Sequence, residues 1–214
     1  MPTEKSALPS SDAIQRALAE FRVTASEHQV LKIQQYIGLL LRWNEKMNLT
    51  AIRDPLEILY RHFCESMFGA MVIPVEKCRL ADVGSGGGFP GIPMKIIRPE
   101  MDLFLIESST KKATFLAEVI RELGLTGVRV LVSRYEELSE EVAPLDVVCS
   151  RAVGEFGPFL AWAASPGLGT QKLALWIGAQ DAESVRRLGG WAWEEPKAIP
   201  HSLRRFILVG QRKP

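Results

Sequence analysis

The chain has 214 residues, of which 47% are hydrophobic and 24% charged, and its formal net charge is +1. This composition is typical of a soluble globular protein, and no apolar run reaches the ~18–20 residues that a bilayer-spanning helix needs. The small net charge gives no argument for a nucleic-acid or membrane partner. Three cysteines without a paired spacing fit a reducing cytoplasm better than a disulfide framework. The N-terminal stretch has no apolar segment, so we expect no secretory signal there.

The first part of the chain, residues 1–74, has the periodicity of helices. Apolar residues recur at three- and four-residue spacing in 11–23, 26–48 and 54–72. Ser26 is a candidate N-cap for the second of these helices. Asp54 followed by Pro55 is a typical start for the third. We expect a helical segment that packs on the core of the remaining chain.

In the second part, residues 75–214, short apolar runs alternate with helical stretches. The candidate strands are 79–83, 102–107, 128–132, 145–149 and 172–177, and the candidate helices are 91–98, 110–123 and 155–164. This alternation predicts a mostly parallel sheet with helices on both faces. The stretch 191–210 has two strand-like runs with no room for a helix between them, which predicts a terminal antiparallel hairpin. The predicted fold is therefore α/β and Rossmann-like, with a seven-stranded sheet.

A glycine-rich turn follows the first predicted strand. The stretch LADVGSGGGFPGIP, residues 80–93, has five glycines within the eight residues 84–91. Glycine lets the backbone approach a ligand where a Cβ would clash, and ligands of such sheets lie beyond the carboxyl ends of the strands. No Lys-Ser/Thr pair follows the loop, which excludes a P-loop for triphosphates. The loop therefore predicts a nucleotide-type cofactor site.

The loop alone leaves the cofactor open. GGGFPG formally fits a dinucleotide fingerprint, and Glu107 stands where a carboxylate accepts the hydroxyls of an adenosine ribose. NAD, FAD and S-adenosylmethionine all carry this ribose. A reversed last strand is typical of S-adenosylmethionine-dependent methyltransferases, and Pro90 and Pro93 reduce the amide donors that a pyrophosphate needs. These features favour S-adenosylmethionine, with an NAD-linked oxidoreductase or a non-catalytic cofactor-binding module as alternatives.

The chain resembles the RsmG family, also called GidB, in four segments. They are RWNEKMNLTAIRDPLEILYRHFCESM, DVGSGGGFPGIP, SRYEEL and SRAVG. Members of this family are bacterial enzymes that methylate N7 of a guanine in small-subunit ribosomal RNA. The resemblance implies a class I methyltransferase fold, S-adenosylmethionine as methyl donor, and a cytoplasmic monomer that acts on ribosomal RNA within a ribosomal particle. A methyltransferase for a small molecule or a protein is the alternative within the same fold.

The resemblance also implies which residues form the site. The implied cofactor-binding residues are Gly84, Ser85, Gly86, Gly88 and Phe89 in the loop, Glu107 at the ribose, Tyr135 and Glu136 at the adenine, and Arg151 at the methyl-donor end, where it is also the implied catalytic residue. Ile177 departs from the family pattern, which often has a lysine there. We expect no metal site, because His62 and Glu65 have no third ligand in the sequence pattern.

Overall fold

The computed structural model describes residues 7–73, 77–138, 142–151 and 154–213. The helices are α1 Ser11–Glu20, α2 Glu27–Asn44, α3 Pro55–Ile58, α4 Glu65–Val72, α5 Gly91–Ile97, α6 Thr110–Glu122, α7 Phe156–Ala163 and α8 Ala179–Arg186. A π-helical turn, Leu59–Cys64, joins α3 to α4, and short 3₁₀ turns form at Tyr135–Glu137 and Pro166–Leu168. The strands are β1 Arg79–Val83, β2 Asp102–Ile106, β3 Val128–Leu131, β4 Val147–Ser150, β5 Lys172–Gly178, β6 Trp191–Trp193, β7 Lys197–Ala198 and β8 Arg205–Arg212.

Capping residues determine where the N-terminal helices begin. The Ser26 hydroxyl accepts a hydrogen bond from the Gln29 N–H, and the Gln29 side chain accepts one from the Ser26 N–H, which makes a capping box. Asp54 caps α3, and Pro55 occupies its first position. Both predicted starts are confirmed. The predicted helix over 54–72 contains the π turn Leu59–Cys64, a distortion that often occurs at functional sites.

The described strands form one sheet with the order β3-β2-β1-β4-β5-β8-β6, and β7 pairs with β8. Strands β1 to β5 are parallel, and β8 runs antiparallel to both β5 and β6. The predicted parallel sheet with a reversed end is confirmed. The sheet has eight strands where the sequence analysis expected seven, because the run 191–199 is divided into β6 and β7. Pro196 lies between them and has no N–H to donate to a ladder.

Most predicted elements of the parallel part agree with the structure to within one residue at each end. The exception is the predicted strand 145–149, since β4 begins at Val147. Leu145 lies outside the ladder because its N–H donates to the Leu168 carbonyl in a neighbouring loop. Helix α8 was not predicted; it follows β5 directly and buries only Ala182 and Val185 along its length.

The sheet is buried on both faces by different helices. On β2, Leu103 and Leu105 belong to an apolar cluster that includes residues of α1 to α6, whereas Phe104 and Ile106 belong to a second cluster with α7 and α8. This alternation is expected of a strand covered on both sides. The N-terminal helices thus share a core with the sheet, while the domain boundary predicted after residue 74 adjoins the undescribed stretch 74–76 and stays a prediction. None of the described helices has the length and apolar content needed to cross a bilayer.

Candidate functional site

The glycine loop turns sharply after β1 and is fixed to the end of β2. Gly84, Gly86 and Gly88 have φ values of 72°, 55° and 84°, a region that favours glycine. The N–H groups of Gly84 and Ser85 donate to the Ile106 carbonyl at 2.9 and 3.1 Å. Helix α5 begins at Gly91, after the loop. Three of the glycines in the loop thus have left-handed backbone conformations, which other residues rarely adopt.

Glu107, which directly follows β2, holds the loop from the other side. One carboxylate oxygen accepts a hydrogen bond from the Gly86 N–H, and the other accepts one from the Ser109 N–H, both at 2.9 Å. Only 6% of Glu107 is exposed. A carboxylate oxygen has a second lone pair, so each oxygen can still accept a bond from a ligand hydroxyl. Glu107 therefore has two functions available to it: it fixes the loop and presents a charged acceptor.

A cleft of about 300 Å³, the first cleft, opens at the carboxyl ends of β1 to β4. It is lined by Val83, Gly84, Ile106, Glu107, Ser108, Ser133, Arg134, Tyr135, Glu136, Ser150 and Gly154. Four of the predicted cofactor residues thus lie together here: Gly84, Glu107, Tyr135 and Glu136. The Tyr135 ring packs edge-on against Phe159 and Trp162, with ring centroids 5.5 and 5.1 Å apart. This packing holds Tyr135 at the wall of the cleft.

The other predicted loop residues support the loop from beneath. Ser85 is buried, and its hydroxyl donates to the Asp82 carbonyl at 2.8 Å. A Cβ on Gly88 would overlap the Tyr36 hydroxyl. The Phe89 ring stacks on the His62 ring, with centroids 4.7 Å apart. Ser85, Gly86, Gly88 and Phe89 are not among the described residues that line the first cleft. Their contact with a cofactor stays a prediction.

Asp82 on β1 lies beneath the glycine loop, and the sequence analysis did not single it out. One carboxylate oxygen accepts a hydrogen bond from the Gly91 N–H at 2.9 Å, and the other, Oδ1, is buried with no hydrogen-bond partner in the described chain. Burial raises the pKa of Asp82 to about 7, against the Gly91 hydrogen bond, which lowers it. The signal was present in the sequence: an acid at a strand position that should be apolar, two residues before the first glycine.

His62 lies in the π turn and connects the N-terminal motifs to the loop. Its Nε2 lies 2.7 Å from the Thr50 hydroxyl, and its Nδ1 is buried without a hydrogen-bond partner among the described residues. Burial, followed by the charges of Arg151 and Arg61, lowers the pKa of His62 to about 3. The imidazole is therefore neutral at physiological pH.

Asn44 explains part of the WN…NLT pattern. Its side-chain oxygen accepts hydrogen bonds from the N–H groups of Leu49 and Thr50, and its amide donates to the Thr50 carbonyl. These bonds, between 2.9 and 3.0 Å long, fold the segment after α2 back on itself. The fold presents Thr50 to His62. Asn44 thus positions Thr50 beside His62 without lining the first cleft itself.

Arg151 lines a second cleft, which lies next to the first cleft. It follows β4 and, together with Glu65, Trp176, Ile177, Gly178, Ile199 and Arg205, lines the second cleft, which has a volume of about 130 Å³. Ile177, where the family resemblance leads one to expect lysine, is among these residues. Burial lowers the pKa of Arg151 from its usual value, and the charge of Glu65 acts in the opposite direction. The residue predicted to be catalytic thus lies next to the first cleft, since Ser150 lines one cleft and Arg151 the other.

Comparison with known proteins agrees with this geometry. The family model described as "GidB: rRNA small subunit methyltransferase G" matches residues 29–188. Proteins called ribosomal RNA small subunit methyltransferase G are similar to this chain: that of Dichelobacter nodosus is 38% identical over 75% of each chain, and that of Chromobacterium violaceum is 35% identical over 89% of this chain and 85% of its own.

Solved structures share the fold at lower sequence identity. A SAM-dependent methyltransferase from Aquifex aeolicus superposes with a TM-score of 0.60 at 15% identity, covering 81% of this chain and 98% of its own. A variant of MtNAS in complex with S-adenosylmethionine gives a TM-score of 0.59 at 14% identity, over 95% of this chain and 78% of its own. At these identities the comparison supports the fold alone, and the fold agrees with the one predicted from sequence.

Proposed function

The chain belongs to the GidB family of small-subunit rRNA methyltransferases, and we propose that it transfers a methyl group from S-adenosylmethionine to N7 of a guanine in small-subunit ribosomal RNA. One structural observation carries the proposal: a glycine loop and an acid at the ends of neighbouring strands face a common cleft. This is where sheets of this type bind nucleotide cofactors. The family match favours a methyltransferase over an NAD-linked oxidoreductase, which was the alternative from the sequence.

The residues of the first cleft fit an adenosyl cofactor. Glu107 offers a charged acceptor for the two ribose hydroxyls, because each of its oxygens has a lone pair left beyond its backbone bond. Tyr135 and Glu136 line the neighbouring wall, where an aromatic ring and a polar group can hold the adenine. Gly84 allows close approach of the backbone. When bound, S-adenosylmethionine supplies an electrophilic methyl group on a sulfonium sulfur.

The proposed acceptor requires no acid–base pair. N7 of guanine carries a free lone pair at neutral pH, so no side chain has to remove a proton before attack. Alignment alone can supply roughly 7–11 kcal/mol in well-oriented reactions. His62 fits this chemistry as a neutral, orienting group, since its lowered pKa leaves it uncharged at physiological pH. The remaining task of the protein is to hold two reactants in line and to exclude water.

We propose that Arg151 contacts the RNA, in place of the cofactor contact that the family resemblance implied. It lines the second cleft, on the side of β4 away from β1 and β2. An arginine at this place can bind the substrate without blocking N7, provided that it contacts a group other than N7 itself. In the proposed reaction, Arg151 therefore fixes the nucleotide to be methylated beside the methyl donor.

The finer features of the partner are also proposals. The formal net charge of +1 favours weak and salt-sensitive binding to naked RNA. We therefore propose that the substrate is ribosomal RNA in a particle with its proteins, modified in the cytoplasm by a monomer. Structured RNA offers fixed phosphate positions, which a few well-placed arginines can recognise.

The test is methyl transfer onto small ribosomal subunits from cells that lack this enzyme. Radiolabel from the methyl group of S-adenosylmethionine should enter the RNA, and chemical cleavage should map it to N7 of one guanine. Naked ribosomal RNA should accept the label more slowly than the particles. Labelling of a ribosomal protein, of a small molecule or of another atom of the base would overturn the proposed acceptor.

A further inference from the structure

Three arginines surround one buried carboxylate at the second cleft. Glu65, at the start of α4, is 2% exposed. Arg205, the first residue of β8, donates to both Glu65 oxygens from Nε at 3.1 and 3.2 Å and to Oε1 from Nη2 at 2.6 Å. Arg61 Nε lies 3.4 Å and Arg151 Nη2 lies 3.9 Å from a Glu65 oxygen. Three positive charges therefore share one buried negative charge, and the exposed Glu57 lies 3.9 Å from Arg61 Nη1 on the outer side.

The hydrogen bonds of this cluster are incomplete. Arg205 uses both oxygens of Glu65, with two hydrogen bonds to Oε1 and one to Oε2. Arg61 Nε and Arg151 Nη1 are buried and have no hydrogen-bond partner in the described part of the chain. A buried donor without a partner destabilises the folded state, and more so when it is charged. The cluster thus lacks an acceptor with negative charge.

The cleft beside the cluster opens where a reacting nucleotide has to come. Arg151 follows the end of β4, and Arg205 pairs with Gly178 at the end of β5. Both ends lie at the same edge of the sheet as the first cleft. The Trp176 ring forms part of the wall, and its N–H is already bonded to the Glu65 carbonyl at 3.0 Å. Arg151 is therefore the residue of this wall with an unpartnered donor among the described residues, and Arg205 adds a second positive charge beside it.

We infer that the second cleft binds one phosphate group of the RNA backbone next to the methylated guanine, through Arg151 and Arg205. The inference rests on the proposed function and extends it. A phosphate diester has one negative charge and two unbridged oxygens, which complement the unsatisfied guanidinium donors. A neutral base in this cleft would leave the excess charge uncompensated. Glu65 acts as a positioning residue, because it orients Arg205 without contacting the RNA.

The carboxylate of the cofactor is the other anion available at this edge. Two features argue against it. The first cleft lies over the ends of β1 to β4, whereas Arg205 is on β8, so β5 lies between the two in the sheet. Arg61 comes from the π turn and Arg205 from β8, and neither of these elements contributes a residue to the first cleft. The experiment below distinguishes the two anions.

The principal test compares Arg205→Gln with the wild type over a range of salt concentrations. Methyl transfer to undermethylated small subunits should lose roughly 10–100-fold in kcat/KM, and the slope of log kcat/KM against log salt should become shallower by about 0.7–0.9. The affinity for S-adenosylmethionine, measured by calorimetry, should stay within about twofold of the wild type, because no cofactor contact is lost. An unchanged slope, or a loss of cofactor affinity, would overturn the inference.

Arg121→Gln is the matched control. Arg121 is in the last turn of α6, paired with Glu122, and 73% of its side chain is exposed. Helix α6 begins after β2 and runs back toward the start of β3, so Arg121 lies at the opposite end of the sheet from the clefts. The variant removes the same charge and should keep both the rate and the salt slope. An equal effect in both variants would mean that only the overall charge matters, which also contradicts a specific phosphate site.

A second measurement needs no variant and so does not depend on folding of Arg205→Gln. The arginine Nε–H signals of the wild type are followed by NMR while dimethyl phosphate is added. Those of Arg61, Arg151 and Arg205 should shift, and that of Arg121 should not. If S-adenosylhomocysteine shifts the same signals as strongly, the cofactor carboxylate is the anion and the inference is wrong.

The two proposals can fail separately. If the wild type transfers no methyl group to ribosomal RNA under any salt condition, the proposed function fails, whatever dimethyl phosphate does. If the wild type is active while Arg205→Gln keeps the wild-type salt slope, the phosphate site alone fails.

Discussion

The two clefts lie on either side of the end of β4, yet the chain builds them in different ways. The first cleft uses residues that directly follow successive strands, such as Gly84, Glu107 and Tyr135. The second brings Glu65 together with Arg205, 140 positions away in the chain. A short segment with regular strand–turn–helix order can form the first, whereas the second exists only when the N-terminal helices and the C-terminal strand have packed. The difference separates a site that depends on local strand–turn–helix order from one that depends on long-range packing.

The largest effect is expected from a substitution that disturbs the contact between the glycine loop and the N-terminal helices, because such a contact would make the first cleft depend on long-range packing too. A methyl group on Gly88 would overlap the Tyr36 hydroxyl, and the φ of Gly88 is +84°. We expect Gly88→Ala to lower the free energy of unfolding by about 4 kcal/mol, measured by chemical denaturation. Gly86→Ala, with φ +55° and its nearest atom 3.8 Å away, should cost only about 1 kcal/mol. Equal losses would show that the loop does not depend on α2.

A second prediction concerns the first cleft alone. Glu107→Ala removes the proposed ribose acceptor and two backbone hydrogen bonds, so S-adenosylmethionine should bind roughly 10–100-fold more weakly by calorimetry. The salt slope of methyl transfer should not change, because the second cleft is intact. Glu107→Gln, which keeps the shape but turns one acceptor into a donor, should lie between the two. Wild-type affinity in Glu107→Ala would remove this residue from the cofactor site.

Asp82 provides a pH test on the side of the first cleft. Its folded pKa of about 7 lies above the unfolded value near 3.9, so the folded state holds an extra proton between these pH values. This contribution to stability is present below pH ~4 and is lost as pH rises through about 7. In the wild type, the ionisation of Asp82 should lower the free energy of unfolding by about 2 kcal/mol between pH ~5.5 and ~7. In Asp82→Asn this decrease should be absent. Parallel pH curves for the two proteins would contradict the raised pKa.

His62 gives the opposite pH dependence in the region of the N-terminal helices. Its folded pKa of about 3 lies below the unfolded value near 6.5, so its contribution is present above pH ~6.5 and is lost as pH falls. Between pH ~6.5 and ~5.5, the free energy of unfolding should therefore decrease by about 1 kcal/mol less in His62→Gln than in the wild type. Urea denaturation at the two pH values measures it. A larger loss in the variant would show that His62 is charged in the folded protein.

Local patterns explain what the sequence could predict. Strand β1, the cap at Asp54 and the glycine loop each follow from residues close together in the chain, and the structure has them where they were predicted. Tyr135 and Glu136 were implied by the family resemblance, and they lie in the turn that follows β3. Their placement at one cleft agrees with the prediction, although their contact with the cofactor is still to be measured.

Long-range packing explains what the sequence could not predict. Glu65 was considered only as a metal ligand with His62, because nothing in its neighbourhood indicates three arginines. Nothing near Arg205 in the sequence indicates that its side chain pairs with Glu65. Asp82 was read as part of a strand, although its burial beside Gly91 makes it a titrating group of the site. In each case the partner lies on another element, and only the folded chain brings the two together.

The most direct measurement of the central claim is a crystal structure of this protein with S-adenosylhomocysteine. We predict that the ribose hydroxyls bind Glu107, that the adenine lies beside Tyr135, and that the sulfur points toward the end of β4. The second cleft should then contain no part of the cofactor. Binding of the amino-acid carboxylate to Arg151 and Arg205, or an adenosine away from Glu107, would contradict the account.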